Sequence, residues 1–199
     1  VFNEFQANYI SAFEKLPKNV LLNGYWQSEK YFLNIKEQLL NEITPNYEFT
    51  LKGKFYHYEI SKSKAVSIHV RRGDYLNMPS AIDFHGTCSM DYYKSAILKL
   101  DEKFSDLKYF IFSDDINWCK SEFNFLKSPI FIEEEPEKKS SQDLFLMSYC
   151  KHNIIANSSY SWWAAWLNKS HSKLVIAPKK WFANKLNDSD ICPETWIRL

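Results

Sequence analysis

Hydrophobic and polar positions follow two rhythms along this chain. Residues 3–16 have mixed helical spacing and stop at Pro17; a short strand-like run, Val20–Leu22, leads into the aromatic turn Asn23-Gly24-Tyr25-Trp26. Residues 29–42 set Tyr31, Phe32, Ile35, Leu39 and Leu40 on one stripe, which predicts an amphipathic helix ending before Thr44-Pro45. The stretch 46–63 is polar and aromatic and contains Gly53, so it reads as an interdomain boundary.

From residue 64 the rhythm changes. Apolar, β-branched runs at 64–70, 107–113, 129–132, 153–156 and 173–177 predict strands. Between them lie helical segments at 90–104, 114–126, 140–152 and 159–168, the second opened by Ser113-Asp114-Asp115 and the third by Ser140 or Ser141. Strands alternating with helices predict an α/β fold with a doubly wound parallel sheet, whose ligands sit at the carboxyl ends of the strands. The acidic run 133–137 reads as a solvated loop.

Composition narrows the classes. A length of 199 residues suits one domain, or one plus a piece, and 45% hydrophobic with 17% aromatic residues excludes disorder. Lys plus Arg (25) balances Asp plus Glu (24), so no nucleic-acid partner is expected. The four glycines, 24, 53, 73 and 86, are too dispersed for a Gly-rich phosphate loop, which argues against standard dinucleotide dehydrogenases and P-loop NTPases. Cys88, Cys119, Cys150 and Cys192 lack a C-x-x-C pair and read as reduced thiols. No apolar run is long enough to span a membrane, no signal peptide opens the chain, and the N-x-S triplets at Asn157, Asn168 and Asn187 are read as chance. Together these place the protein in the cytoplasm.

Three strand ends carry candidate chemistry. In His69-Val70-Arg71-Arg72-Gly73-Asp74-Tyr75, two guanidinium forks suit phosphate oxygens and Asp74 can hold one of them; the plain alternative is a surface ion-pair cluster. Asn157-Ser158-Ser159 opens a helix whose N-terminus suits an anion, though capping alone would explain it. One diphosphate could bridge these two sites. Asp114 and Asp115 can cap the following helix or hold a ribose. No metal motif appears, and Trp162, Trp163 and Trp166 read as core.

These residues, in this order, resemble the bacterial α-1,2-fucosyltransferases of glycosyltransferase family 11. Further matches are Gly24-Tyr25-Trp26-Gln27-Ser28, His85-Gly86-Thr87-Cys88 with Tyr92-Tyr93, and Val175-Ile176-Ala177-Pro178 with Trp181-Phe182. The resemblance implies a GT-B-type fold and transfer of L-fucose from GDP-β-L-fucose to a galactose hydroxyl of a glycan acceptor. It implies no metal and no further cofactor. It assigns Arg71 to the GDP phosphates, His69 to the nucleoside side, Asp143 to guanine, and Ser158 and Ser159 to the β-phosphate. Arg72, Asp74, Asp114 and Asn157 join them as donor-binding candidates.

The family's glycine-rich N-terminal signature is absent, so the sequence reads as the C-terminal two-thirds of such an enzyme. The expected organisation is a remnant acceptor domain at 1–63, a Rossmann-like donor domain at 64–180, and a tail at 181–199 packing back toward the N-terminal part. The general base is left among Asp74, Asp83 and His85, with Asp83 and His85 preferred. A bacterial cytoplasmic location, free or peripheral to the inner membrane, follows. The alternatives are a non-catalytic GDP-sugar or glycan-binding module, and a fucosyltransferase of another linkage.

Overall fold

The computed structural model of the chain describes residues 1–73, 86–183 and 186–199. Two short strands near its start, β1 (Phe2–Asn3) and β2 (Leu22–Asn23), pair in parallel. Six more strands form one parallel sheet: β3 (Lys64–Val70), β4 (Leu107–Ser113), β5 (Ile130–Phe131), β6 (His152–Ile154), β7 (Val175–Ala177) and β8 (Ile197–Arg198). Their spatial order is β5-β4-β3-β6-β7-β8. The chain runs outward from β3 to β5, returns to the middle at β6, and runs outward the other way. That reversal between β3 and β6 is the switch point of a doubly wound sheet, where the crossovers on either side diverge and leave a crevice.

Helices cover both faces. They are α1 (Lys36–Glu42), α2 (Leu51–Ser61), α3 (Met90–Asp101), α4 (Ile116–Glu122), α5 (Gln142–Ser148) and α6 (Ser159–Leu167). Val66, Ile68 and Val70 point to one face, against Tyr93, Ala96 and Leu100 of α3 and Phe123 beyond α4. Ala65, Phe110 and Phe112 point to the other, against Tyr56 and Ile60 of α2, Leu146 and Met147 of α5, and Ala164 of α6. Burial on both faces explains why KAVSIHV is apolar almost throughout instead of alternating. Trp162 and Trp166 are core, as their spacing suggested, together with Trp181 and Trp196. Phe32, Leu39 and Leu40 pack onto that cluster and bring the early part of the chain against α6.

The switch point is tied together by buried amides. Asn153 of β6 donates to the Ser67 hydroxyl of β3 at 2.7 Å and to the Met147 carbonyl at 2.9 Å, and its carbonyl oxygen accepts from Asn168 at 2.7 Å. Asn168 also donates to the Cys150 carbonyl. Such a network fixes the strand and helix ends because every partner left unpaired in the interior would cost about 1–3 kcal/mol. It also buries Asn168, and Asn157 is buried too, so those triplets are structural. All four cysteines are free thiols. Among the described residues no helix is long and apolar enough to cross a membrane.

Several elements differ from the pattern-based expectation. Residues 3–16 hold only β1 and a 3₁₀ turn at Ser11–Lys15, because Tyr9 and Phe13 are organised by ring contacts with Tyr31 and Trp26 and not by a helical period. The 29–42 helix breaks into 3₁₀ turns at Glu29–Tyr31 and Leu33–Ile35 before α1. The supposed boundary at 46–63 contains α2, with Gly53 on its buried side. A Cβ at Gly53 would stand 2.6 Å from the Gln142 amide oxygen, and that same oxygen accepts from the Thr50 amide at 2.9 Å. Strand β8, two residues long, gave no pattern to read.

His69 gives the fold a pH dependence. Burial, with the Arg71 charge adding to it against an opposing contribution from Asp114, lowers its pKa from 6.5 to about 4. The folded protein keeps the ring neutral while the unfolded chain takes up a proton below pH 6.5. Stability is therefore full above that value and falls with pH until the folded pKa is reached, by roughly 3 kcal/mol in all. Urea midpoints measured from pH 7 to 5 should decline in the parent and stay flatter in His69→Phe; parallel declines would contradict this.

Candidate functional site

The site forms where β3, β4 and β6 end. Val70 pairs with Ser113 in register, so the next residues, Arg71 and Asp114, emerge side by side. The Arg71 guanidinium lies 3.0 Å from the Asp114 carboxylate, and the other Asp114 oxygen accepts from the Arg72 backbone amide at 2.9 Å. A Cβ at Gly73 would stand 3.3 Å from the Asp114 carboxyl carbon and carbonyl oxygen, a tight contact that glycine avoids. Asp114 therefore holds the loop and aims Arg71. Capping of α4 falls to its neighbour, since Asp115 accepts from the Trp118 amide at 3.2 Å.

Arg72 has different partners. Its guanidinium lies over the Trp118 ring at 4.2 Å, with Nε 3.4 Å from the Asp115 carboxylate, an ion pair without hydrogen-bond geometry. The two arginines are thus divided between a carboxylate at the strand end and the flank of α4. On the far side, α3 supports the strand ends from below. The Tyr93 hydroxyl donates to the His69 carbonyl at 3.1 Å, and the Tyr92 hydroxyl sits 2.7 Å from the Ile155 carbonyl and 3.0 Å from that of Ile176.

Across the crevice stands the start of α6. Ser158 is its N-cap residue but its side chain makes no capping bond, so the first-turn amides keep their donors for another acceptor. Ser159 is exposed there. Asn157 turns inward instead, donating to the carbonyls of Gly86 at 3.4 Å and Trp181 at 3.2 Å, which pins the loop leading into the helix.

Tyr160, one residue and about 100° further round α6, stands near two buried polar atoms that lack partners. The His69 ring lies 5.7 Å from the Tyr160 ring, and its Nδ1 is buried without a hydrogen bond. The Tyr160 hydroxyl accepts from the Leu144 amide at 2.9 Å and donates to the Ser140 carbonyl at 2.7 Å, which holds the start of α5 against α6. Next to it, Asp143 pairs through Oδ2 with Lys138 at 2.8 Å, while Oδ1 is buried and unpartnered. Burial raises the Asp143 pKa from its ordinary value, only partly held back by Lys138. Buried, unsatisfied acceptors are rare enough to point to a missing donor.

The structure sets Arg71 against Asp114 at the ends of β3 and β4 and His69 beside Tyr160 of α6, with Ser158 and Ser159 at the start of that helix, while Asn157 is bonded to backbone carbonyls and Arg72 lies over Trp118. Asp74, Asp83 and His85 lie outside the described residues. Among the described residues no three His, Cys, Asp or Glu side chains converge as a metal site would need. Three contributors were not singled out in the sequence. Lys138 sits unremarkably in a polar loop; Tyr160 and Trp118 carried a signal, as aromatic residues one and three places after strand-end motifs.

Residues 2–199 match Glycosyl transferase family 11. The chain is 42% identical over 182 residues to the Alpha-1,2-colitosyltransferase of Escherichia coli, covering 88% of this chain and 61% of that protein. It is also 42% identical over 137 residues to the Escherichia coli O-antigen biosynthesis glycosyltransferase WbnK, covering 69% of this chain and 45% of the relative. The mouse Galactoside alpha-(1,2)-fucosyltransferase 2 is 23% identical over 154 residues, 74% of this chain and 44% of that protein. The chain therefore spans less than two-thirds of the length of these relatives. A six-stranded parallel sheet flanked by helices, the strand-end arginine facing a serine-headed helix, and the family match over nearly all of its length agree: the chain belongs to glycosyltransferase family 11.

Proposed function

We propose that the protein of which this chain is part or whole transfers L-fucose from GDP-β-L-fucose to the 2-hydroxyl of a galactose unit, with inversion. The observation that carries this reading is Arg71, aimed by Asp114 across the β3–β6 crevice from the uncapped start of α6. A guanidinium fork on one side and free helix amides on the other suit a diphosphate. In the reaction the acceptor oxygen attacks the anomeric carbon as the bond to GDP breaks, and negative charge grows on the β-phosphate. Arg71 and the amides at Ser158–Ser159 stabilise that charge. The acceptor proton passes to a base, for which Asp83 and His85 are the candidates. Guanine lies beside Asp143, whose Oδ1, buried without a partner, accepts from its N2–H₂, with His69 and Tyr160 alongside.

A second donor is favoured by a specific observation, the 42% identity to an Alpha-1,2-colitosyltransferase. Colitose is the 3-deoxy form of L-fucose, so both donors share the nucleotide, the linkage and the 6-methyl group. Turnover of GDP-fucose and GDP-colitose with a β-galactoside, followed by linkage analysis of the product, separates them. Binding of GDP without transfer of either sugar would favour the non-catalytic module.

Two outcomes are expected. Arg71→Ala should lower kcat/KM by about a hundred- to a thousandfold, the usual cost of removing one preorganised charge-stabilising donor, and Arg71→Lys should recover little of it because a point charge cannot replace the fork. Wild-type turnover in Arg71→Ala would overturn the assignment. Calorimetry should find GDP bound about tenfold more tightly than inosine diphosphate, which lacks the N2 amine, and Asp143→Ala, which removes the acceptor, should erase that preference. An undiminished preference in the variant would remove Asp143 from the base site.

A further inference from the structure

The last residues of the chain reach the start of α6 through a continuous line of hydrogen bonds. Strand β8 lies at the edge of the sheet, and its register sets Ile197 beside Ile176 and Arg198 beside Ala177. Arg198 therefore stands next to the turn that follows β7, and its guanidinium closes on that turn. It donates through Nε to the Pro178 carbonyl at 3.4 Å, through one terminal nitrogen to the Asp188 carbonyl at 3.3 Å, and through the other to the Lys179 carbonyl. The last of these nitrogens also lies 3.0 Å from the Asp188 carboxylate. A planar cation with five fixed donors suits this task, because it can hold several carbonyls and a carboxylate at once.

The line continues inward from Asp188. Its Oδ2 accepts from the backbone amide of Trp181, whose ring is buried in the same cluster as Trp162. The Trp181 carbonyl accepts from the Asn157 side-chain amide at 3.2 Å, and that amide also reaches the Gly86 carbonyl at 3.4 Å. The Asn157 side-chain oxygen accepts from the Cys88 thiol at 3.5 Å. Asn157 is buried and immediately precedes Ser158, the N-cap residue of α6. Ser158 makes no capping bond of its own, so the chain entering the helix is held through Asn157.

We propose that the Arg198–Asp188 pair positions the start of α6 for the phosphates of the nucleotide donor, acting through Trp181 and Asn157. This rests on the reading that the first amides of α6 hold the diphosphate. Hydrogen bonds from those amides depend steeply on alignment, so a turn that drifts when its clip is removed carries the helix start away from the phosphate oxygens. The effect is selective. The phosphate contacts weaken, whereas the guanine side, at Asp143, stays as it was.

Calorimetry on the full chain with GDP and with guanosine, beside a melting curve for each variant, tests this. Arg198→Met and Asp188→Ala should each weaken GDP about tenfold, the loss expected of one misaligned charge-assisted hydrogen bond, while guanosine binds as in the parent. The double variant should weaken GDP no more than either single one, because both residues act through one line of bonds. Arg198→Lys and Asp188→Asn, which change less of the turn, should show the same selective loss at a few-fold, and they decide the matter if the larger substitutions unfold the chain. Unchanged GDP affinity in the folded variants, equal losses for GDP and guanosine, or additive losses in the double variant would overturn the proposal and leave the donor reading intact. A parent chain that binds no GDP, or binds it no better than guanosine, defeats the donor reading and the proposal with it.

Discussion

The pairing of β3 between β4 and β6 is the constraint on which the rest depends. Because β3 is central and in register with β4, Arg71 leaves the sheet directly beside Asp114. Because β3 also pairs with β6, the start of α6 stands opposite that arginine. A slip of one residue in either register would send His69 and Arg71 to the wrong faces. The Asn153–Ser67–Asn168 network opposes such a slip, since its amides find partners in one alignment only. Polar groups buried at the switch point thus maintain the geometry from which the site is made.

With that geometry fixed, α6 acts as a partition. One side presents His69, Tyr160 and Asp143, where buried acceptors lack donors. The other presents Ser159 and a cleft lined by Tyr25, Trp163 and Trp181. The helix start between them is the natural place for charge. In the proposed reading a diphosphate is held there without any Gly-rich loop. The low glycine count is consistent with this: Gly73 is spent on the approach to Asp114 and Gly24 on the approach to Glu4.

The sheet was legible because its strands are buried on both faces, so that runs such as KAVSIHV and LKYFIFS stand out as continuous apolar segments. The strand-end motifs were legible because doubly wound sheets put ligands there. The N-terminal third was not, because Phe13, Trp26 and Tyr31 are organised by ring packing and leave no period to read. Helix α2 was hidden by a glycine whose purpose, admitting Gln142, depends on a residue about 90 positions away. The different partners of Arg71 and Arg72 were equally invisible, since adjacent identical residues carry no sign of which will meet a carboxylate and which a tryptophan. The bonds from Asn157 to the Gly86 and Trp181 carbonyls likewise depend on distant residues that its own motif does not announce.

The most direct measurement is a crystal structure of the chain with GDP bound. The account predicts the diphosphate between the Arg71 guanidinium and the α6 amides, with guanine against Asp143 Oδ1 on the Tyr160 side of the helix. A diphosphate away from Arg71, or guanine stacked among Tyr25, Trp163 and Trp181, would contradict it.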